Sequence, residues 1–120
     1  MPSICSVYQD AAEKLLSERC SDGFWEGELS ASALSTATSV SALSLVDRTE
    51  HENLIRGGIR WLAKHQNDDG GWGDTVRSIS NISTALLVRA AFHLSGKAES
   101  HQYILDKLEG YITRAGGLDA

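Results

Sequence analysis

Apolar residues recur at three- and four-residue intervals along most of the chain, and no stretch alternates apolar and polar residues long enough to read as a strand. Ile4, Val7, Tyr8, Ala11, Leu15 and Leu16 make one apolar face and predict a first helix ending near Cys20. A second helix is predicted from about Ser30 to Val46, over "SASALSTATSVSALSLV". Its small residues let helices approach closely, and its hydroxyls can bond back to their own carbonyls, so its burial is tolerable. A third begins at "TEHE", where Thr49 as N-cap and Glu52 three residues on fit a capping box; Ile55, Ile59 and Leu62 carry it to about His65. A fourth runs from about Ser78 to Leu94, is apolar on most sides and is expected to be interior; Ser95-Gly96 stops it. A fifth begins near Ser100 and carries Ile104, Leu105, Leu108, Tyr111 and Ile112.

The helices hide a repeat. Trp25 lies 47 positions before Trp72, and Thr36, Ala37, Val40 and Ala42 lie 48 before Thr84, Ala85, Val88 and Ala90. Each unit, 23–69 and 70–116, is a glycine-tryptophan corner, a short loop and a small-residue helix, then an amphipathic helix. The closing "RAGGLDA" resembles a third corner with Leu118 in place of tryptophan, so a further inner helix is expected beyond it. A period near 48 with two helices per unit means stacked hairpins that need neighbours to bury their faces. One amphipathic helix alternating with one small-residue helix predicts two layers. The fold class is therefore all-α, a single domain over 1–120 whose five helices form an arc of an α/α toroid.

Composition narrows the partners. The net charge is −5 with acids and bases mixed, so no basic patch suits a phosphate backbone and nucleic acid is set aside. The longest strongly apolar run, "ALLVRAAFHL", is interrupted by Arg89 and His93 and is far short of a membrane span. No secretory signal opens the chain. Cys5 and Cys20, fifteen positions apart on the predicted first helix, would be roughly 22 Å from each other. That is too far for a disulfide, and they read as reduced thiols of a cytoplasmic protein.

Gln66, Gly70 and Trp72 in "QNDDGGW" fit a Q-x-x-x-G-x-W pattern. The pattern resembles the QW repeat of squalene-hopene and oxidosqualene cyclases. "GIRWLAKHQ" is similar to the outer helix leading into it, and "SDGFWEGELSASALSTATSVSALSLV" to the first corner and inner helix near the N-terminus of squalene-hopene cyclases. There Gly23 and Trp25 match, but Arg19 stands where glutamine belongs. The resemblance covers roughly residues 10 to 96. It implies that these residues brace one hairpin to the next and are not catalytic. The physical reasons agree: glycine leaves a helix with positive φ, tryptophan offers a large apolar plate, and a glutamine amide can cap free backbone groups. The resemblance also implies a complete toroid of about six hairpins of roughly 48 residues, on the order of 290 in all, of which this chain supplies well under half.

No catalytic, cofactor-binding or metal residue is assigned. The family protonates its substrate with an aspartic acid in a D-x-D-D-T-A-like motif, and Asp68-Asp69, the only acidic pair, fails it. Asp is common in turns for local hydrogen-bonding reasons, and these two are read that way. "HENLI" lacks the second histidine of a zinc helix, and His65, His93 and His101 have no i, i+4 partner. His93 is expected as a hydrogen-bonded core residue. Asn81-Ile82-Ser83 is a formal glycosylation sequon on a predicted interior helix and is read as chance. The resemblance implies the N-terminal scaffold of a triterpene cyclase, an isomerase, whose lipid would be a polyprene such as squalene only within a complete enzyme. It also implies peripheral membrane contact. Alone, the chain is expected to be inactive. Two other readings are carried: a non-enzymatic helical-repeat module associating through its open hairpin faces, and, ranked lowest, an α/α toroid like a prenyltransferase β subunit, whose zinc ligands find no match here.

Overall fold

The computed structural model describes residues 1–117. Five α-helices follow in order: α1 (Ile4–Ser17), α2 (Ala33–Asp47), α3 (Glu52–Lys64), α4 (Ile82–Leu94) and α5 (Gln102–Arg114), with one 3-10 turn, Glu99–His101, leading into the last. Among the described residues there is no strand, only an isolated antiparallel bridge between Ser32 and Thr75. Leu118, the tryptophan equivalent of the expected third corner, lies outside the described residues.

The inner helices α2 and α4 pack on each other, α3 packs on α2, and α5 packs on α4. The result is an arc of helical hairpins of the α/α-toroid kind. Its core joins Ala37 and Val40 of α2, Ile55, Ile59 and Leu62 of α3, Ala85, Val88, Ala91 and Phe92 of α4, and Leu105, Leu108 and Ile112 of α5. The α2–α3 contact needs a glycine: a Cβ on Gly58 would lie 2.5 Å from Val40 Cγ2. The hydroxyls of α2 bond back to their own helix, Thr36 to the Ser32 carbonyl at 2.8 Å and the buried Ser44 to the Val40 carbonyl at 2.7 Å. That removes the cost of burying them.

Helix starts fall later than the periodicity predicts, because side-chain caps fix them. α2 begins after Ser32, whose hydroxyl accepts the Ser35 N–H, and not at Ser30. α4 begins after Asn81, whose side-chain oxygen accepts the Thr84 N–H, and not at Ser78. Residues 74–80 are instead a loop tied to the loop before α2, the Val76 N–H donating to the Ala31 carbonyl at 3.3 Å. The expected capping box at Thr49 and Glu52 does not form. Asp47 takes the Thr49 and Glu50 N–H groups at 3.0 and 2.9 Å, and the N-cap residue of α3 is His51, without a side-chain cap. The Glu52 carboxylate turns away to Lys97 Nζ, 2.5 Å distant, beyond the end of α4.

α1 departs most from expectation. It ends at Ser17, so Cys20 lies outside it in the following turn; Cys5 and Cys20 are both free thiols. None of its residues is buried, and Ile4, Tyr8, Leu15 and Leu16 of its apolar face are exposed. The described chain is correspondingly elongated, with a radius of gyration of 19.5 Å where a compact chain of this length would have about 14 Å.

Candidate functional site at the glycine-tryptophan corners

The loop between α3 and α4 gathers most of the long-range polar contacts. It is built from the end of α3, where the Leu62 carbonyl takes only the His65 N–H of the closing turn, at 3.1 Å, and keeps room for a second donor. Trp72, 1% exposed, donates its indole N–H to that carbonyl at 3.0 Å. Gln66 donates its side-chain amide to the Gly70 carbonyl at 2.8 Å and to the Ile104 carbonyl on α5 at 3.0 Å. Gly70 has φ 92°, and a Cβ there would meet the Lys107 carbonyl oxygen at 2.2 Å. The corner therefore lies with its backbone directly on α5. Arg114 of the same helix adds a guanidinium bond to the Asp69 carbonyl at 2.6 Å.

The two acids of the turn separate in role. Asp69 accepts the Gly71 N–H at 2.9 Å and the Ser80 hydroxyl at 2.7 Å, the local bonding that makes Asp frequent in turns. Asp68 is exposed on the same turn.

A third acid, missed in the sequence reading, organises the next layer. Asp74 accepts the Thr84 hydroxyl at 2.6 Å and the Asn81 amide at 2.9 Å, and its carbonyl accepts the Ser32 hydroxyl at 2.8 Å. The Thr84 hydroxyl first, and the Asn81 amide second, hold the Asp74 carboxyl below its ordinary range, against a smaller opposing effect of desolvation. The signal available was Asn81 placed before the apolar run, a helix-start pattern that the sequon obscured.

The first corner repeats the indole bond and the backbone bonds of the turn of the second at an interval of 47. Trp25 donates its indole N–H to the Leu15 carbonyl at 2.6 Å, as Trp72 does to that of Leu62. The Gly23 N–H reaches the Cys20 carbonyl at 3.0 Å and the Cys20 N–H the Phe24 carbonyl at 2.9 Å, matching Gly70 to Asn67 and Asn67 to Gly71, both at 2.9 Å. Gly23 has φ 89°. What differs is the cover. Trp25 is 46% exposed, and a Cβ on Gly23 would meet nothing within 4 Å. Arg19, at the place of Gln66, makes no bond of the glutamine kind.

An open cavity of about 500 Å³ lies between α4 and α5, lined by Arg89, His93, Glu99, Gln102, Leu105 and Glu109 among others. His93, expected in the core, is exposed here: the apolar stripe of α4 is satisfied by Val88, Ala91 and Phe92, which turns position 93 outward. Arg89 pairs with Glu109 at 2.5 Å, both half-exposed. Among the described residues, no three His, Cys, Asp or Glu side chains converge as a metal site would require.

With this geometry in hand, comparison with known proteins places the chain. Residues 8–120 match the squalene-hopene cyclase N-terminal domain, and the chain belongs to that family. It is similar to the terpentedienyl-diphosphate synthase of Kitasatospora griseola, 32% identical over 94 residues, covering 76% of this chain and 19% of that protein. It is also similar to the dammaradiene synthase of Dryopteris crassirhizoma, 35% identical over 74 residues, covering 53% of this chain and 11% of that protein. The chain thus spans less than a fifth of either relative's length. No described helix is long and apolar enough to cross a membrane.

Proposed function

We propose that this chain is scaffold for a terpenoid cyclase of the squalene-hopene type. Its glycine-tryptophan corners brace successive hairpins, and it supplies no catalytic acid. The observation that carries the reading is the second corner: the Gln66 amide nitrogen and the Trp72 indole N–H donate to the backbone of α3, α5 and the turn itself. Donors bonded in this way position helices. Gly23 and Trp25 form the same internal corner and brace α1 to its turn.

The chemistry of the whole enzyme would be cation-olefin cyclisation, an isomerisation of a polyprene such as squalene. The relatives' names, one a diphosphate and one a diene, leave the head of the polyprene open. Alone, the chain should not cyclise squalene, because the D-x-D-D-T-A-like acid motif does not occur in it. Peripheral membrane contact belongs to the same proposal and would come with the complete enzyme. Family membership leaves the prenyltransferase reading without support.

Two measurements test this. Incubation of the purified chain with squalene, followed by mass spectrometry of the lipids, should show no cyclised product; any product refutes the silence. Coexpression with a squalene-hopene cyclase lacking the matching N-terminal segment should restore cyclisation if the chain is scaffold. Persistent inactivity, with both polypeptides soluble, counts against it.

A further inference from the structure

A cleft of about 290 Å³ opens between α3 and the turn that joins α4 to α5, lined by Arg56, Ile59, Arg60, Lys97, Ser100 and His101. Three cations and an imidazole line it, and among the described residues no acid does. The chain as a whole carries a net charge of −5, so this grouping runs against its composition. Arg60 stands 37 positions before Lys97, and only the fold brings them to one cleft. The arrangement carries a cost. Arg56 and Arg60 are one helical turn apart on α3, an i, i+4 spacing at which like charges weaken a helix. Arg56 is steadied by a neutral group, its Nη2 donating to the Asn53 side-chain oxygen at 2.9 Å. Among the described residues neither arginine has an acid partner.

One acid answers the cluster. Glu52 accepts from Lys97 Nζ at 2.5 Å. Its carboxyl is held low first by that bond and then, against desolvation, by the charges of Lys97, Arg56 and Arg48. Setting Glu52 against Arg56, Arg60 and Lys97 leaves two positive charges at the cleft, the complement of a dianion. Ile59, 1% exposed, gives the cleft an apolar wall, and attraction between charges is stronger beside such a wall than in open water. Guanidinium forks match phosphate oxygens in pairs, and an ammonium adds a compact point charge. His101 Nδ1 faces the Lys97 carbonyl, an acceptor only, at 3.0 Å; that nitrogen therefore carries its proton, and the imidazole steadies the turn. The volume lies at the small end of ligand clefts and suits a compact polar group, not a polyprene.

We propose that the cleft of Arg56, Arg60, Lys97 and His101 binds a phosphate group carrying two or more negative charges, free in solution or at the head of a lipid. Arg56 and Arg60 supply the guanidinium donors, and Lys97 supplies an ammonium that it shares with Glu52. The site uses none of the corner residues, so its failure would leave the scaffold reading untouched.

The test is titration of the purified chain with inorganic phosphate and with pyrophosphate at constant ionic strength, followed by amide NMR shifts. Amides of residues 56–60 and 97–101 should shift saturably, with a Kd of about 1 mM or tighter for pyrophosphate. Arg56→Gln and Arg60→Gln each remove one charged donor from an exposed side chain and should each weaken binding about tenfold. Arg77→Gln makes the same change of net charge at an exposed position outside the cleft and should bind as the wild type does. Circular dichroism checks that all three variants keep their helices, and the two cleft variants stand in for each other should one lose them. Cosedimentation with phosphatidylcholine vesicles, with and without phosphatidic acid, separates the sources. Retention that needs both phosphatidic acid and Arg60 marks a lipid head group; binding in solution without retention marks a soluble phosphate. The proposal is overturned if no probe is bound in a way that needs Arg56 and Arg60. It is overturned equally if Arg77→Gln weakens binding as much as they do, since the response is then to net charge and not to a site.

Discussion

Gly70 is the position where one atom decides most. Its φ of 92° disfavours any L side chain, and the Lys107 carbonyl stands where a Cβ would go. Gly70→Ala combines backbone strain with a clash against main chain, and should cost about 2–4 kcal/mol. Gly23→Ala has the same strain without the clash, so its cost should be clearly smaller; paired denaturant titrations read the difference. The tryptophans separate in the same way. Trp72→Ala leaves a cavity in the core and should cost about 3–5 kcal/mol. Trp25→Ala removes a half-exposed ring and should cost no more than about 1 kcal/mol. Equal losses at the two would mean that the first corner is covered in solution. The acids give a pH signature. Glu52, held low by its bond to Lys97, and Asp74, held low by Thr84 and Asn81, are more acidic folded than unfolded. Their contribution is fully present above the unfolded carboxylate range and is lost as pH falls through the lowered folded values. Asp74→Asn should flatten that acid limb in thermal melts, and an unchanged limb would refute the assignment.

Among elements, α1 and α3 make an informative pair. Both are outer helices ending in the same corner, yet α3 buries Ile55, Ile59 and Leu62 while α1 buries nothing. Removing residues 1–17 should leave the melting temperature of the remainder within a few degrees, because the core loses no side chain. Hydrogen exchange should show α1 amides exchanging well before those of α3. Periodicity alone made the two helices look equivalent. The spacing of Ile4, Val7, Tyr8, Leu15 and Leu16 states that a face exists, not what covers it. Element starts were misjudged for a related reason. Ser78 and Ser30 are polar residues before apolar runs, as good in sequence as Asn81 and Ser32. The loop-to-loop bonds of Asp74 and Ala31 choose between them, and those join positions distant in the chain. The capping box failed likewise, because Lys97, 45 residues away, takes Glu52.

For the whole molecule, the arc leaves both ends of the hairpin stack uncovered, and they differ in character. The α2 end is uncharged; the α5 end is rimmed by Arg89, Glu99 and Glu109. The Arg89–Glu109 pair is half-exposed, so screening leaves it worth little to stability. Its placement suits a rim that stays wet. The sequence by itself determined the local chemistry: five helices, the interval of 47 to 48, the glycine-tryptophan corners, the back-bonded hydroxyls of α2 and the turn role of Asp69. Each of these follows from residue type and short-range spacing, which fix backbone dihedrals and helix faces. Tertiary structure decided the rest: that Trp72 is sealed while Trp25 is not, that Asp74 joins two loops to α4, that His93 faces outward and that α1 stands without cover. Those outcomes depend on which surfaces meet, and burial is set by neighbours that the local sequence does not contain.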